Sequence, residues 1–304
     1  MEKFEVTILG CGSAKPTTRH FPSSQVVNVR DKLFLIDCGE GCQMQICRNH
    51  LSYNKINCIF ISHLHGDHVL GLVGLISTMG LNDRITDLHI YAPKDFDKPF
   101  KSMLEFFCVQ LDFKVVFHPI DTTKTDIIFE DRSVEVSTIP LLHRVPCCGF
   151  LFREKPTSPH IRREMIDFYN IPYSQINNIK AGMDWVTEEG KVVPYTRLTR
   201  PADPPRKYAY CSDTQYIPYL YKQIEGVDLL YHEATYGDDK ESMATIYNHS
   251  TARQAGRVAK EANAKKLVIG HFSARYLDET VLLNEAKEEF ENTFLADEGL
   301  TFTV

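Results

Sequence analysis

The sequence predicts an α/β fold in which functional side chains lie where β-strands end. Positions 56–61 form an apolar run that is typical of a buried strand. A dense cluster of histidines follows this run, and an apolar segment at positions 69–76 then predicts a buried helix. Farther along the chain, three more strand-like runs each end at a single histidine or aspartate. Open α/β sheets usually build their sites at such strand ends.

The histidine cluster is the run Ser62-His63-Leu64-His65-Gly66-Asp67-His68, which is rich in the ligands that zinc and other transition metals prefer. His63 and His65 are two positions apart, so they point the same way in extended backbone. Asp67 and His68 follow Gly66, where the chain can turn. Since adjacent residues do not easily serve the same side of one ion, the spacing predicts two ions. A histidine-rich loop with adventitious metal affinity is the alternative.

A site for two ions needs more ligands, and the later strand-like runs supply them. His143 follows the run at 133–140, Asp213 follows the run at 207–211, and His271 follows the run at 266–270. A single polar residue after a strand is more often structural than a ligand. Three of them in a chain that also carries the histidine cluster favour one shared metal centre.

Longer motifs resemble a known family. The His-x-His-x-Asp-His run with the later His143, Asp213 and His271 resembles the metallo-β-lactamase superfamily. Four segments resemble the signatures of ribonuclease Z, the endonuclease that matures tRNA 3′ ends: Gly10-Cys11-Gly12-Ser13-Ala14-Lys15-Pro16, Ile36-Asp37-Cys38-Gly39-Glu40-Gly41, His232-Glu233-Ala234-Thr235-Tyr236 and His249-Ser250-Thr251-Ala252. The resemblance extends from Phe4 to about Phe272. It implies a single αββα sandwich domain over residues 1–304.

The resemblance also implies two zinc ions and assigns their ligands. One ion would be held by His63, His65 and His143, the other by Asp67, His68 and His271, with Asp213 as the bridge. Two metal ions about 3.5–4 Å apart can activate a water and balance the charge of a phosphoryl group. Asp67 has a second expected role in orienting and deprotonating that water. The expected products are a tRNA with a 3′-hydroxyl and a trailer with a 5′-phosphate.

The departing 3′ oxygen needs a proton, and His249 is the expected donor. It precedes a predicted helix that Ser250 or Thr251 can cap. Glu233 is the expected carboxylate that orients His249. The alternative for His249 is a buried structural role. Asp37 follows a buried apolar run and is expected to orient a metal ligand.

The net charge of −6 argues against RNA binding, but phosphate recognition depends on local patches. Positions 153–207 carry ten basic and seven acidic side chains, a balance of 10 − 7 = +3, with seven prolines and a predicted helix at 162–169. The resemblance implies that about 153–206 is a flexible inserted arm that grips tRNA. Where many relatives have Gly-Pro after Ile-Pro, this chain has Tyr173-Ser174-Gln175. A solvated linker is the alternative.

Six side chains are the expected RNA contacts. Three lie in the arm and three in the polar loop after the first strand, which in the family lies beside the active site. They are Arg162, Arg163, Lys180, Lys15, Arg19 and Phe21. The cations would bind phosphates, and Phe21 would stack on a base, although each loop residue is nearly as well explained as plain surface.

Composition favours a cytoplasmic protein with no membrane partner. Nine cysteines include no Cys-x-x-Cys pair, which favours a reducing compartment. No stretch approaches the ~20 apolar residues of a membrane span, and the first residues lack a signal-peptide core. At the other end, a helix is expected at 279–291 and an edge strand at 301–304.

Two other functions compete with the endonuclease. One is a metallo-hydrolase of the same fold acting on a small phosphodiester, thioester or sulfate ester, for which the basic arm has no use. The other is a non-catalytic RNA-binding scaffold, against which the intact ligand set argues. Manganese or iron would also suit mixed His/Asp sites. The family resemblance further implies a homodimer in which one subunit's arm serves its partner's active site.

Overall fold

A computed structural model describes residues 2–108 and 110–304. Its strands are β1 (Phe4–Gly10), β2 (Ser24–Val29), β3 (Lys32–Ile36), β4 (Ile56–Phe60), β5 (Leu88–Pro93), β6 (Val115–Ile120), β7 (Ile127–Glu130), β8 (Val134–Pro140), β9 (Cys148–Glu154), β10 (His160–Ile161), β11 (Trp185–Val186), β12 (Val192–Val193), β13 (Thr199–Arg200), β14 (Lys207–Cys211), β15 (Leu229–Glu233), β16 (Leu267–Gly270), β17 (Thr293–Leu295) and β18 (Thr301–Thr303). Its helices are α1 (Cys42–Arg48), α2 (Gly66–Val69), α3 (Leu72–Leu81), α4 (Asp97–Phe107), α5 (Arg163–Phe168), α6 (Tyr173–Lys180), α7 (Tyr195–Leu198), α8 (Glu241–Tyr247), α9 (Ala252–Glu261) and α10 (Thr280–Glu289).

Within the described residues, most strands belong to two seven-stranded mixed sheets. The first has the order β18-β1-β2-β3-β4-β5-β6, and the second has the order β17-β16-β15-β14-β9-β8-β7. In the first sheet β3 to β6 are parallel, and in the second β14 to β17 are parallel. The carboxyl ends of the parallel strands in each sheet therefore lie along a common edge, where a site can form.

Alternation along β3 shows how the layers are stacked. Leu33 and Leu35 belong to the apolar cluster that includes residues of α1, α3 and α4. Phe34 and Ile36 belong to the other cluster, which also contains residues of β8, β9 and β14 from the second sheet. Because successive side chains of a strand point to opposite faces, β3 contacts helices on one side and the second sheet on the other. Together with α9, which contacts β15 and β16, this gives the predicted αββα sandwich.

Most elements that carry expected ligands match the sequence prediction. Strands β4, β8, β14 and β16 are confirmed within a residue or so at each end. Helix α10 and the edge strand β18, which pairs with β1, are also confirmed. The helix expected at 69–76 is α3, preceded by the short α2 that contains Asp67 and His68. No helix among the described residues combines the length and the apolar character needed to cross a bilayer.

Residues 154–205 form a compact unit of their own. Its small core includes Ile171, Ile179, Val193 and Leu198, all buried. The predicted helix is confirmed as α5, and two short antiparallel pairs, β10 with β13 and β11 with β12, complete the unit together with α6 and α7. No sequence pattern predicts α6, which begins directly after Pro172. The unit therefore has an apolar core despite its many prolines.

Candidate metal centre

The histidine cluster lies between β4 and the first turn of α2. His65 has extended backbone at the amino end of that helix, and Asp67 and His68 lie within it. The change from extended to helical backbone at Gly66 separates His63 and His65 from the other two side chains. His63 and His68 are fully buried, as is expected of groups that a cation holds together.

The first group of nitrogens comes from His63, His65 and His143. Nε2 of His63 and Nε2 of His143 each lie 3.2 Å from Nδ1 of His65. Two nitrogens bound to one tetrahedral zinc at about 2.0–2.1 Å lie about 3.3 Å apart. The three imidazoles are therefore spaced as the ligands of a single ion.

The second group comes from Asp67, His68 and His271. Oδ2 of Asp67 lies 3.5 Å from Nε2 of His68 and 3.5 Å from Nε2 of His271. These three ligand atoms belong to one compact cluster. His271 has a φ of 61°, a left-handed conformation that is uncommon outside glycine and that persists only where surrounding structure enforces it.

Asp213 lies between the two groups, with one oxygen toward each. Its Oδ2 is 3.7 Å from Nε2 of both His63 and His143. Its Oδ1 is 3.5 Å from Nε2 of His68 and 3.3 Å from Nε2 of His271. A carboxylate placed in this way can bridge two ions, one held by each group of side chains.

Unsatisfied polar atoms provide a test of whether a metal fits. Among the described residues, Nε2 of His68 and Oδ1 of Asp213 are buried and have no hydrogen-bond partner. Leaving a buried polar atom unpaired costs about 1–3 kcal/mol. Both atoms belong to the ligand groups above, so divalent metal ions would satisfy them. The donor set of imidazoles and carboxylates fits zinc, and it also fits other transition metals.

The electrostatics of the cluster also favour a cation. Burial lowers the pKa of His63 well below 6.5, and the other histidines, led by His68, lower it further. His63 is therefore neutral, the state in which imidazole binds metal. Burial also lowers the pKa of His68, but three carboxylates, led by Asp37, outweigh burial and raise it to about 10. Positive charge at His68, from a proton or a metal ion, is thus stabilised.

Asp37 accounts for the orientation of His68. Oδ2 of Asp37 accepts hydrogen bonds from Tyr210 and from the hydroxyl of Ser62, and it lies 2.7 Å from Nδ1 of His68. Oδ1 accepts from the backbone N–H of Ser62 at 2.8 Å. With Nδ1 engaged, Nε2 is the nitrogen left for a metal. This is the geometry by which a carboxylate behind a ligand orients it.

Two other histidines have comparable partners that the sequence does not predict. Oγ1 of Thr235 lies 2.8 Å from Nδ1 of His271, and Nδ1 of His143 lies 2.8 Å from the backbone oxygen of Asn248. Thr235 belongs to the His-Glu-Ala-Thr motif. This motif indicates that Thr235 lies near the site, but it does not indicate that its partner is His271. Asn248 acts through its backbone, which no side-chain pattern reveals.

His249 lies next to this cluster and is paired with Glu233. Nδ1 of His249 is 2.9 Å from Oε1 of Glu233, which is fully buried. Burial lowers the pKa of His249, but Glu233 outweighs it and raises the pKa to about 9. Burial raises the pKa of Glu233, yet His249, His271 and the backbone N–H of Thr214 together lower it to about 2. Both pKa shifts favour an imidazolium beside an ionised carboxylate.

The loop that holds His249 leads directly into α9. Thr251 is the N-cap of that helix, and its hydroxyl accepts from the backbone N–H of Gln254, whose side chain reciprocates. This capping box confirms the predicted helix start and selects Thr251 as the cap. It fixes the backbone two residues from the His249 ring.

A cavity of about 610 Å³ opens onto the metal centre and His249. Three cationic side chains line it: Lys15, Arg144 and Arg275. Two tyrosines, Tyr236 and Tyr247, line it as well. Apart from Asp67 and Asp213, which belong to the ligand groups, no carboxylate lines this cavity among the described residues. The cavity is therefore suited to a polyanion with planar groups.

The structure separates the expected RNA contacts into different places. Lys15 is exposed and lines the cavity, whereas Arg19 and Phe21 do not line it. The Arg19 guanidinium donates to the backbone oxygens of Tyr276 and Leu277 and pairs with Glu279.

Phe21 is half-buried, with the Arg48 guanidinium 5.4 Å from its ring centroid. The other three expected contacts belong to the 154–205 unit. Arg162 and Arg163 are exposed there, Lys180 is half-buried, and Nε of Arg162 donates to the backbone oxygen of Thr199.

The sequence alone assigns His20 no role, yet this residue joins distant parts of the chain. Its Nδ1 lies 3.0 Å from Oε2 of Glu298, and its Nε2 lies 3.5 Å from Glu279. Oε1 of Glu298 accepts from the backbone N–H of Cys11 and of Phe21. Glu298 therefore holds both ends of the loop that carries Lys15. No local pattern predicts a partner 278 positions away.

The sequence matches a family model over part of its length and individual proteins over all or nearly all of it. The family model described as anti-Pycsar protein Apyc1 matches residues 4–158. Ribonuclease Z of Bacteroides fragilis is 59% identical over 304 residues, which covers all of both chains. Ribonuclease Z of Porphyromonas gingivalis is 47% identical over 300 residues, 99% of each chain.

Two solved structures are similar over nearly the full length. Human tRNase Z, short form, has a TM-score of 0.71 and 26% identity, with 98% of each chain covered. The metallo-beta-lactamase fold protein YhfI of Bacillus subtilis has a TM-score of 0.71 and 18% identity, with 100% of each chain covered. The second likeness shows the fold alone.

Proposed function

Since the chain belongs to the ribonuclease Z family and, over residues 4–158, to the family named after anti-Pycsar protein Apyc1, we propose that it is a metal-dependent endoribonuclease that removes the 3′ trailer from tRNA precursors. The observation that carries this proposal is the position of Asp213 between two groups of ligands. A dinuclear centre of this kind suits hydrolysis of a phosphodiester. Its cavity is lined by cations that suit a nucleic-acid backbone.

The proposed metals are two zinc ions per subunit. His63, His65 and His143 would hold one, Asp67, His68 and His271 the other, and Asp213 would bridge them. When bound, they would supply the charge that makes water nucleophilic near neutral pH and that balances the phosphoryl oxygens. Asp67 would orient the attacking water and accept its proton.

The remaining steps belong to side chains around the centre. His249 would donate a proton to the departing 3′ oxygen, since its pKa of about 9 keeps it protonated at neutral pH. Glu233 would hold the imidazole in place and stabilise its charge. Lys15, Arg144 and Arg275 would pair with phosphates of the bound strand. The products would be a tRNA ending in a 3′-hydroxyl and a trailer with a 5′-phosphate.

Binding of the tRNA body is proposed for the unit at 154–205, as an inserted arm of a single 1–304 domain. Arg162, Arg163 and Lys180 are its expected phosphate contacts. An ordered core in this unit supports a recognition role over that of a linker. A cytoplasmic homodimer is the assembly we propose, on the family relationship alone.

A hydrolase of small phosphodiesters is the second candidate. It is favoured by one observation: every ligand, together with His249 and Glu233, lies outside the 154–205 unit. The site chemistry therefore does not itself require a large substrate.

The test is cleavage of a tRNA precursor with a 3′ trailer by wild type, His65→Ala and His249→Ala, with metal content measured in all three. The same proteins are assayed on bis(p-nitrophenyl) phosphate. Cleavage directly after the discriminator base, lost in both variants while His249→Ala keeps its metal, supports the endonuclease and separates ligand from acid. Hydrolysis of the small ester by metal-replete wild type that leaves the precursor intact supports the second candidate instead.

A further inference from the structure

Arg144 and Tyr247 form a pair at the wall of the cavity. In the proposed reaction Arg144 binds an unspecified phosphate, and Tyr247 has no role. Arg144 directly follows His143, and Tyr247 lies two residues before His249. The bond from Nδ1 of His143 to the backbone oxygen of Asn248 joins the two segments at 2.8 Å. The pair is therefore held beside the metal centre by a contact to one of its ligands.

The geometry of the pair suits a nucleotide. Cζ of Arg144 lies 5.6 Å from the ring centroid of Tyr247, and the Tyr247 side chain is 38% exposed. Arg144 is exposed, and its guanidinium has no carboxylate partner in the described part of the chain. An arginine fork binds phosphate oxygens, and an exposed aromatic ring stacks on an unpaired base.

The position of the pair relative to His249 selects one side of the cleaved bond. Tyr247 and His249 flank Asn248, whose backbone oxygen lies 2.8 Å from Nδ1 of His143. The guanidinium of Arg144 lies over the ring of Tyr247, so the pair lies beside the segment that carries the proton donor. In an in-line displacement the leaving oxygen departs opposite to the attacking water. The nucleotide that bears this oxygen must therefore lie on the His249 side.

We propose that Arg144 and Tyr247 form the subsite for the nucleotide on the 5′ side of the cleaved bond, the one that keeps the 3′ oxygen. Tyr247 stacks on its base, and Arg144 binds the phosphate that precedes it. This inference rests on the proposed endonuclease function. Because every base has a π-face, such a subsite accepts any base, as processing of many different precursors requires.

The test uses precursors in which single nucleotides are made abasic, on the 5′ side or on the 3′ side of the cleaved bond. Tyr247→Ala is expected to raise KM about tenfold on the intact precursor and on the 3′-abasic one, with kcat unchanged. On the 5′-abasic precursor it is expected to have no further effect, because the stacking partner is already absent. Tyr247→Phe keeps the ring and is expected to behave as wild type.

Arg144→Ala is expected to raise KM on all three substrates and to reduce the salt dependence of binding, since it removes a phosphate contact. The matched controls are Tyr219→Ala and Arg132→Ala, exposed residues that do not line the cavity. Both are expected to match wild type.

Two outcomes with a wild type that cleaves the precursor overturn the subsite alone. One is an equal effect of Tyr247→Ala on the intact and 5′-abasic precursors. The other is loss of the effect on the 3′-abasic precursor, which would place the ring on the trailer side. Failure of wild type to cleave any precursor, while it hydrolyses bis(p-nitrophenyl) phosphate, overturns the proposed function and the subsite together. If wild type cleaves the precursor but Tyr247→Ala does not lose its effect on the 5′-abasic precursor, the subsite alone is overturned.

Discussion

Oδ2 of Asp37 lies 2.7 Å from Nδ1 of His68, and both side chains are fully buried. A buried carboxylate is costly unless several donors surround it. Tyr210 and Ser62 supply donors besides the imidazole. These hydrogen bonds fix the carboxylate at the end of β3. The carboxylate in turn orients His68 so that Nε2 faces Asp67 and Asp213.

This relationship predicts that Asp37→Asn weakens metal binding. The amide lacks the negative charge that favours a proton on Nδ1 and a metal at Nε2 of His68. Loss of such a supporting group typically costs about 10- to 100-fold in metal affinity. Titration of metal-free protein with zinc against a chromophoric chelator measures the change.

Asparagine suits this test because Asp37 has a φ of 54°, a conformation that asparagine also adopts readily. Circular dichroism of the metal-free variant provides the control for folding. Unchanged zinc affinity in a folded variant would show that His68 does not depend on Asp37.

Glu233→Gln is expected to move the pH profile of the reaction. Glu233 raises the pKa of His249, so removing its charge lowers that pKa and makes the imidazole lose its proton at lower pH. The alkaline limb of kcat should shift to lower pH, and metal content should stay unchanged. His249→Ala should lose about 10²- to 10⁴-fold in kcat and its alkaline limb with it. An alkaline limb that stays in place in Glu233→Gln contradicts the pairing.

Metal removal is expected to destabilise the fold around the site. Without a cation, Nε2 of His68 and Oδ1 of Asp213 are left buried and without a hydrogen bond. Anything that binds the folded state and not the unfolded state stabilises it, so a chelator should lower Tm and added zinc should restore it. Differential scanning fluorimetry measures both. His65→Ala should respond less to zinc than wild type, and an equal response would exclude His65 as a ligand.

Deletion of Lys155 to Arg200 should abolish precursor cleavage and spare hydrolysis of bis(p-nitrophenyl) phosphate. The segment can be removed because the strands on either side of it are neighbours: Arg153 of β9 pairs with Lys207 of β14 in antiparallel register. A short Gly/Ser connection can therefore join the two strands. Equal loss of both activities, in a variant that keeps its metal and its Tm, would argue against a tRNA-binding role for the segment.

The strands that end at ligands could be predicted because their signals are local. An apolar run followed by histidine or aspartate can be recognised without knowledge of distant residues, and β4, β8, β14 and β16 all show this pattern. Partners across the fold could not be predicted in the same way. Thr235 meets His271 across 36 positions, and Asn248 meets His143 across 105.

Arg19 is a case in which the sequence indicates a partner and the structure shows different ones. A basic residue in a polar loop indicates a phosphate contact, and nothing nearby in the sequence reveals other partners. In the structure its guanidinium bonds to backbone oxygens of Tyr276 and Leu277, more than 250 positions away. The small core of the 154–205 unit was equally hidden, because its apolar residues are spread among prolines.

The contact between His20 and Glu298 predicts a pH-dependent stability. A hydrogen bond from His20 to Glu298 raises the pKa of His20 above its ordinary value of 6.5. Burial raises the pKa of Glu298, but the bond to His20 outweighs it, and the pKa falls below 4.5. The His20 contribution is full below pH 6.5 and is lost as pH rises through the raised pKa. The Glu298 contribution is present above pH 4.5 and is lost as pH falls through the lowered pKa.

The pair should therefore stabilise the protein most between pH 4.5 and 6.5. His20→Gln should lower the free energy of unfolding by about 1.5–3 kcal/mol at pH 6, the usual range for a hydrogen bond to a charged group. The difference from wild type should be smaller at pH 9, because the charged pair weakens as pH rises through the raised pKa of His20. Urea unfolding at both pH values measures it, with His50→Gln, an exposed histidine, as the control. A difference for His20→Gln that is equal at pH 6 and pH 9 would show that the contact does not depend on charge.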